Sequence, residues 1–272
     1  MDQRLITVSL ALWLATNAVA AGAAGFPTFS VRRCAPDAIV AGSVCLDRYE
    51  ASVWRVPNPT TTNRSLIRKI QLGMVTRANL IAGGATWLGA TANDYAPCTR
   101  NGQTCANDIY AVSLPSEMPS PNITWFQAQE ACANAGKRLP TNSEWQMGAN
   151  GTPDAGPDNG TTDCNTASAG TPTLTGTRAG CVSGRGAFDM VGNLAEWVAD
   201  WVPVSTDCPS WGSFSNDDMC LSGASETATG PAALIRGGAF TDLSGALAGP
   251  LAVRGTVLAF RATNIVGFRC VR

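Results

Sequence analysis

Ten cysteines and no histidine define the chemistry open to this 272-residue chain. Thiolates can bridge to one another or hold a soft metal. Zinc, haem and the common iron sites lose their usual imidazole ligand, and no CxxC pair occurs. A serine hydrolase fails on the same ground, for there is neither a histidine base nor a GxSxG elbow. An even cysteine count favours disulfides. Near neighbours suggest Cys34 with Cys45, Cys98 with Cys105, Cys164 with Cys181 and Cys208 with Cys220, which leaves Cys132 and Cys270; spacing alone leaves other connectivities open. Carboxylates are the remaining reactive groups. Asp242 could act as a general acid or base with Asp200, Asp207, Asp217 or Asp218 only if folding brought two of them together, and a solvated surface is the simpler expectation.

Disulfides require an oxidising compartment, and the start of the chain supplies a route to one. Leu5 to Ala20 form an apolar run after Arg4, followed by small residues, as in a secretory signal peptide. About 16 apolar residues fall short of the roughly 20 that span a bilayer, so no transmembrane span is expected after signal removal. The expected location is secreted, periplasmic or at the cell envelope. A net charge of -1 gives no excess to attract nucleic acid. The organisation expected is a signal peptide over 1–21, an N-terminal extension over 22–44 and one domain over 45–272.

Several elements must position these groups. Thr124 with Gln127 and Thr141 with Glu144 are capping-box pairs, predicting helices through WFQAQEACANA, with a stop at Gly136, and through SEWQMGAN. CLDRYEASVWRV, from Cys45 to Val56, predicts one or two strands, and IRGGAF, LAVRG, LAFRAT and VGFRCV predict short strands or strand-like turns. The stretch from Asn58 to Leu114 reads as polar and irregular. Gly151 to Gly186 reads as long loops stapled by cysteines. In GNLAEWVADW, Trp197 and Trp201 stand four apart, a spacing that suits core packing.

Three pieces in order, NITWFQAQEACANAGKRLPTNSEWQMGANG, GAFDMVGNLAEWVADW, and RGGAF with GFRCVR, resemble the sulfatase-modifying factor family, whose best-known member is the formylglycine-generating enzyme. The resemblance implies an α+β, C-type-lectin-like fold, loop-rich and disulfide-stapled. It implies a link between Cys132 and Cys270. It also implies a structural calcium ion on the Asp189 and Glu196 side chains and the Gly192 and Leu194 carbonyls, a mixture of hard oxygens that suits this cation. A second family calcium site would begin at Asn165 and Thr166, but no carboxylate side chain follows through Phe188, so that site is expected to be absent or altered.

One departure is decisive for chemistry. The family's oxidases hold copper between two cysteines after the RGG-type turn, and counting from Gly238 those positions fall at Asp242 and Leu247. Neither is a soft thiolate, and Ala239 to Arg269 contains no cysteine. Copper is therefore not expected. The expectation is a binding protein for a protein, peptide or glycan, with Asp242, Ser244, Arg254, Phe260, Arg261 and Asn264 as candidate ligand-binding residues. The alternatives are a formylglycine-generating oxidase with an unorthodox site, a retroelement-diversified variable receptor, and a structural envelope component.

Overall fold

The computed structural model describes residues 33–154, 158–243 and 245–272. The expected signal peptide, the first part of the N-terminal extension and Ser244 lie outside the described residues.

The remainder is an α+β arrangement of short elements. Strands β1 (Ala38–Ala41) and β2 (Val44–Asp47) form an antiparallel hairpin. It straddles the boundary expected at Cys45, so the chain from Cys34 onward is part of the fold. A three-stranded antiparallel sheet has β3 (Ser52–Arg55) between β4 (Thr86–Leu88) and β5 (Ile109–Val112). The larger sheet is mixed, in the order β10-β6-β8-β9-β7, with β6 Ala195–Val202, β7 Met219–Cys220, β8 Ala232–Arg236, β9 Val253–Leu258 and β10 Val266–Phe268.

Strand periodicity distributes side chains to cores on both faces. Val53, Ile109, Ala111, Trp197, Ile235 and Phe268 meet helix α3 (Trp125–Asn134) in one apolar cluster. On the opposite face of β6 and β8, Val198 and Leu234 pack with Trp145 of helix α4 (Asn142–Ala149) and with Leu46. On the opposite face of β3 and β5, Trp54, Tyr110 and Val112 pack against Leu66, Ile70 and Leu80.

Both expected capping boxes form: Thr124 Oγ1 and Thr141 Oγ1 accept from the backbone N–H groups of Gln127 and Glu144, and those side chains accept in return. Two expectations change. The stretch from Asn58 to Leu114 contains helices α1 (Arg64–Gln71) and α2 (Arg77–Ala82) as well as β4 and β5. Leu66 and Ile70, four apart, anchor α1 inside an otherwise polar sequence. The two tryptophans of GNLAEWVADW lie on a strand, and a register shift falls between them. Trp197 is buried, whereas Trp201 is 44% exposed and packs edge-on against Trp125 and Phe126 outside the core.

Five disulfides close the described chain, Cys34–Cys45, Cys98–Cys105, Cys132–Cys270, Cys164–Cys181 and Cys208–Cys220, and no free cysteine remains among the described residues. Among the described residues from 151 to 186 there is no helix or strand, and the Cys164–Cys181 bridge ties these loops.

Candidate functional site

Strand β8 ends at Arg236 and is followed by two glycines whose backbones are both left-handed, with φ of 83° at Gly237 and 78° at Gly238. A Cβ at Gly237 would stand 2.6 Å from the Met190 carbonyl oxygen, and one at Gly238 would stand 2.6 Å from that of Leu247. Only glycine meets both demands. The turn sends the chain through an irregular segment that returns as β9.

Inside that segment Asp242 closes a turn by accepting a 2.8 Å bond from the Ala239 N–H. Burial pushes its carboxyl up from the ordinary value, opposed by that N–H and by the Arg254 guanidinium. Arg254 donates to the Leu247 carbonyl at 2.7 Å and stands 3.8 Å from Asp242 and 3.9 Å from Asp218. Between Gly238, Leu247, Arg236 and Arg254 only about 10 Å³ of space remains, room for about one water. Asp242 and Leu247, the two positions reached by counting from Gly238, are thus a carboxylate beside Arg254 and a leucine whose carbonyl accepts from it.

The other carboxylates considered with Asp242 have separate tasks. Asp200 accepts from the Asn142 N–H, Asp207 from the Cys208 N–H and Asp217 from the Leu251 N–H. Asp218 alone shares a cation, Arg254, with Asp242.

The candidate ligand-binding residues divide. Asp242 and Arg254 form the linked cluster beside the glycine turn. Phe260, Arg261 and Asn264 are exposed on the connection between β9 and β10. Arg261 borders a cleft of about 430 Å³ with Thr256, Val257, Leu258, Val204 and Ser225.

The residues expected at calcium lie around a buried arginine. Arg269 Nε donates to both Glu196 oxygens, at 2.9 and 2.7 Å, and its Nη2 donates to the first at 2.6 Å. Trp145 Nε1 reaches Glu196 at 2.6 Å. Asp189 accepts from the Gly176 N–H at 2.7 Å, and the Leu194 N–H donates to Glu50 at 2.9 Å. Burial raises Asp189 to about 6 and holds Glu50 well above its usual range, with Asp189 and Glu196 adding like charge against Glu50. Three buried carboxylates thus share the field of Arg269. Among the described residues, no three metal-binding side chains gather in one shell, so a cation here would draw mainly on backbone oxygens.

Sequence reasoning missed Glu50 and Arg236. Glu50 sits between two strand signals with no motif of its own. Arg236 was visible as the arginine of RGGAF, but only as a mark of the fold.

The model of the sulfatase-modifying factor enzyme 1-like domain matches residues 62–272. The chain belongs to the sulfatase-modifying factor family. The match begins well inside the fold, because the hairpin and β3 precede it. No curated protein is matched. Among solved structures, the Major Tropism Determinant U1 Variant is 18% identical with a TM-score of 0.45, covering 86% of this chain and 51% of that one. CarF is 21% identical with a TM-score of 0.36, covering 57% and 67%. Treponema denticola variable protein 1 is 15% identical with a TM-score of 0.35, covering 69% and 84%. This member of the sulfatase-modifying factor family thus spans about half the length of the tropism determinant.

Proposed function

We propose that this protein is an exported binding protein of the sulfatase-modifying factor family, without oxidase chemistry, that holds a protein, peptide or glycan on the surface bordered by Phe260, Arg261 and Asn264. One observation carries the reading. By the count from Gly238, Asp242 and Leu247 take the positions of the family oxidases' copper thiols, and Arg254 reaches both, the Asp242 carboxylate at 3.8 Å and the Leu247 carbonyl at 2.7 Å. Copper(I) needs soft ligands, and every described cysteine is bridged. The cleft beside Arg261 offers an apolar floor with hydroxyl and guanidinium groups at its edge, the mixture that orients a ligand in a mostly apolar pocket.

Export is supported by the five disulfides and by the apolar N-terminal run. No helix among the described residues is long and apolar enough to cross a membrane. A calcium ion at the turn from Asp189 to Glu196 belongs to the same proposal. The buried carboxylates there favour a cation, which the Asp189 and Glu196 side chains and the Gly192 and Leu194 carbonyls would hold once Glu196 gave up part of its pairing with Arg269, and its contribution would be stability rather than reaction.

The test is incubation of folded, copper-supplemented protein with a cysteine-bearing sulfatase-type peptide under oxygen, read by mass spectrometry. The expected result is an unchanged thiol, and conversion to the aldehyde overturns the reading. A glycan and peptide array then reads binding. Arg261→Ala should weaken any ligand found at least tenfold, and unaltered binding would remove that surface from the proposal.

A further inference from the structure

Among the described residues, the buried cations are matched to carboxylates with one exception. Lys137 meets Asp37 and Asp47, Arg269 meets Glu196, and Arg178 stands 3.9 Å from Asp158. Arg236 is only 3% exposed, and no carboxylate forms an ion pair with it among the described residues. Its guanidinium lies 4.5 Å over the Trp145 ring. Its Nη groups donate to neutral oxygens only: the side-chain amides of Asn142 at 3.2 Å and Gln146, and the Pro250 carbonyl at 3.2 Å. Its Nε is buried without an acceptor. Burial lowers its affinity for a proton, to a pKa of about 10, with the more distant Asp217 carboxylate opposing the shift. A desolvated guanidinium held by neutral acceptors gains most from a carboxylate, whose bonds to it are charge-assisted.

Arg236 also lines an open cleft of about 320 Å³. Asn142, Ser143 and Gln146 form the polar wall, and Trp211, Leu221, Leu251 and Val253 the apolar one. The amide oxygens of Asn142 and Gln146 are engaged by Arg236, which leaves their NH₂ groups as donors, and Trp211 Nε1 is spent on the Leu251 carbonyl. Two carboxylates touch wall backbone, Asp200 at the Asn142 N–H and Asp217 at the Leu251 N–H; Asp217 acts on Arg236 through its charge but makes no ion-pair contact with it, so the guanidinium's bonds stay with neutral oxygens. The cleft therefore offers donors around one cation beside an aliphatic wall.

We infer that this cleft binds the free carboxyl terminus of a peptide ending in an apolar residue, with the carboxylate taken by Arg236 and the terminal side chain laid against Leu221, Leu251 and Val253. The aliphatic wall selects a peptide end over an acidic sugar, which would need hydroxyl partners there. The cleft shares no lining residue with the one beside Arg261, so the inference stands independently of the ligand surface proposed above.

The test is titration of full-length protein with N-acetyl-Gly-Leu, its C-terminal amide and glucuronate, followed by calorimetry and tryptophan fluorescence. The acid should bind saturably and the amide at least tenfold more weakly. Gln146→Glu, which gives Arg236 a resident carboxylate, should abolish acid binding while preserving the thermal transition. Leu221→Trp, a surface change that fills the cleft, should abolish it as well and serves if the first variant does not fold. Equal binding of acid and amide, retained binding in both folded variants, or no saturable binding of the acid overturns the inference. Binding of glucuronate in place of the peptide acid overturns the assignment of a peptide terminus.

Discussion

Arg269 is the residue on which distant parts of the chain converge. Beyond its bonds to Glu196 it donates to the Asp47 carbonyl at 3.1 Å and the Phe188 carbonyl at 2.9 Å, so one guanidinium joins β2, β6 and the loop before β6. Removing one member of a buried pair leaves the other charged and unmatched. Arg269→Ala is therefore expected to destabilise the fold by about 3–5 kcal/mol in denaturant unfolding. Asp217 acts in the opposite sense. Burial lifts its carboxyl to about 6, with Asp154 adding like charge, while the Leu251 N–H and Arg236 oppose the shift. Because the folded value lies above the unfolded one, the native state binds the extra proton between roughly pH 4 and pH 6. This group's contribution to stability is present at the acid end of that window and is lost as pH rises through about 6. Asp217→Asn should flatten the fall in melting temperature between about pH 4 and pH 6, and an unchanged slope would assign that fall to another group.

At the level of elements, the helices depend on their caps and the strands on where the core lies. Helix α4 begins at a Thr141–Glu144 box, and Arg138 holds Glu144 from outside, lowering its carboxyl to about 2. Thr141→Ala should cost about 1 kcal/mol, measured by chemical denaturation. Strand β6 carries a sharper contrast. Trp197 is fully buried and its indole N–H donates to the Ile123 carbonyl, whereas Trp201 lies in a partly exposed aromatic group with Trp125 and Phe126. Trp197→Ala should cost about 3–5 kcal/mol, and Trp201→Ala clearly less. Equal losses would mean that the register shift between them does not separate core from surface.

For the whole molecule, the bridge with the longest reach is Cys132–Cys270, separated by 138 residues, which pins α3 to the chain's end. Chain-entropy arguments assign about 5 kcal/mol to closing a loop of that length. Replacing both cysteines by alanine should lower the melting temperature more than opening the 12-residue Cys208–Cys220 loop does.

The capped helices, the glycine pair after Arg236, the disulfide count and the family were legible in the sequence because each is written in local spacing or in motifs whose order survives without coordinates. Helices α1 and α2 were not, since their apolar anchors are few and their stability comes from packing beneath the smaller sheet. The strand identity of Ala195–Val202 was hidden for a related reason: a four-residue aromatic spacing fits either a helix or a bulged strand. The missing thiols after the RGG turn could be read directly, but that Arg254 stands there, bonded to the Leu247 carbonyl and paired at 3.8 Å with Asp242, required the return of β9 beside β8. What the sequence determined by itself was therefore which groups exist and which local shapes they favour. Only the tertiary structure decided which charges meet, because Glu196 and Arg269 lie 73 positions apart and the bonding of Arg236 to neutral oxygens is a fact of space rather than of order.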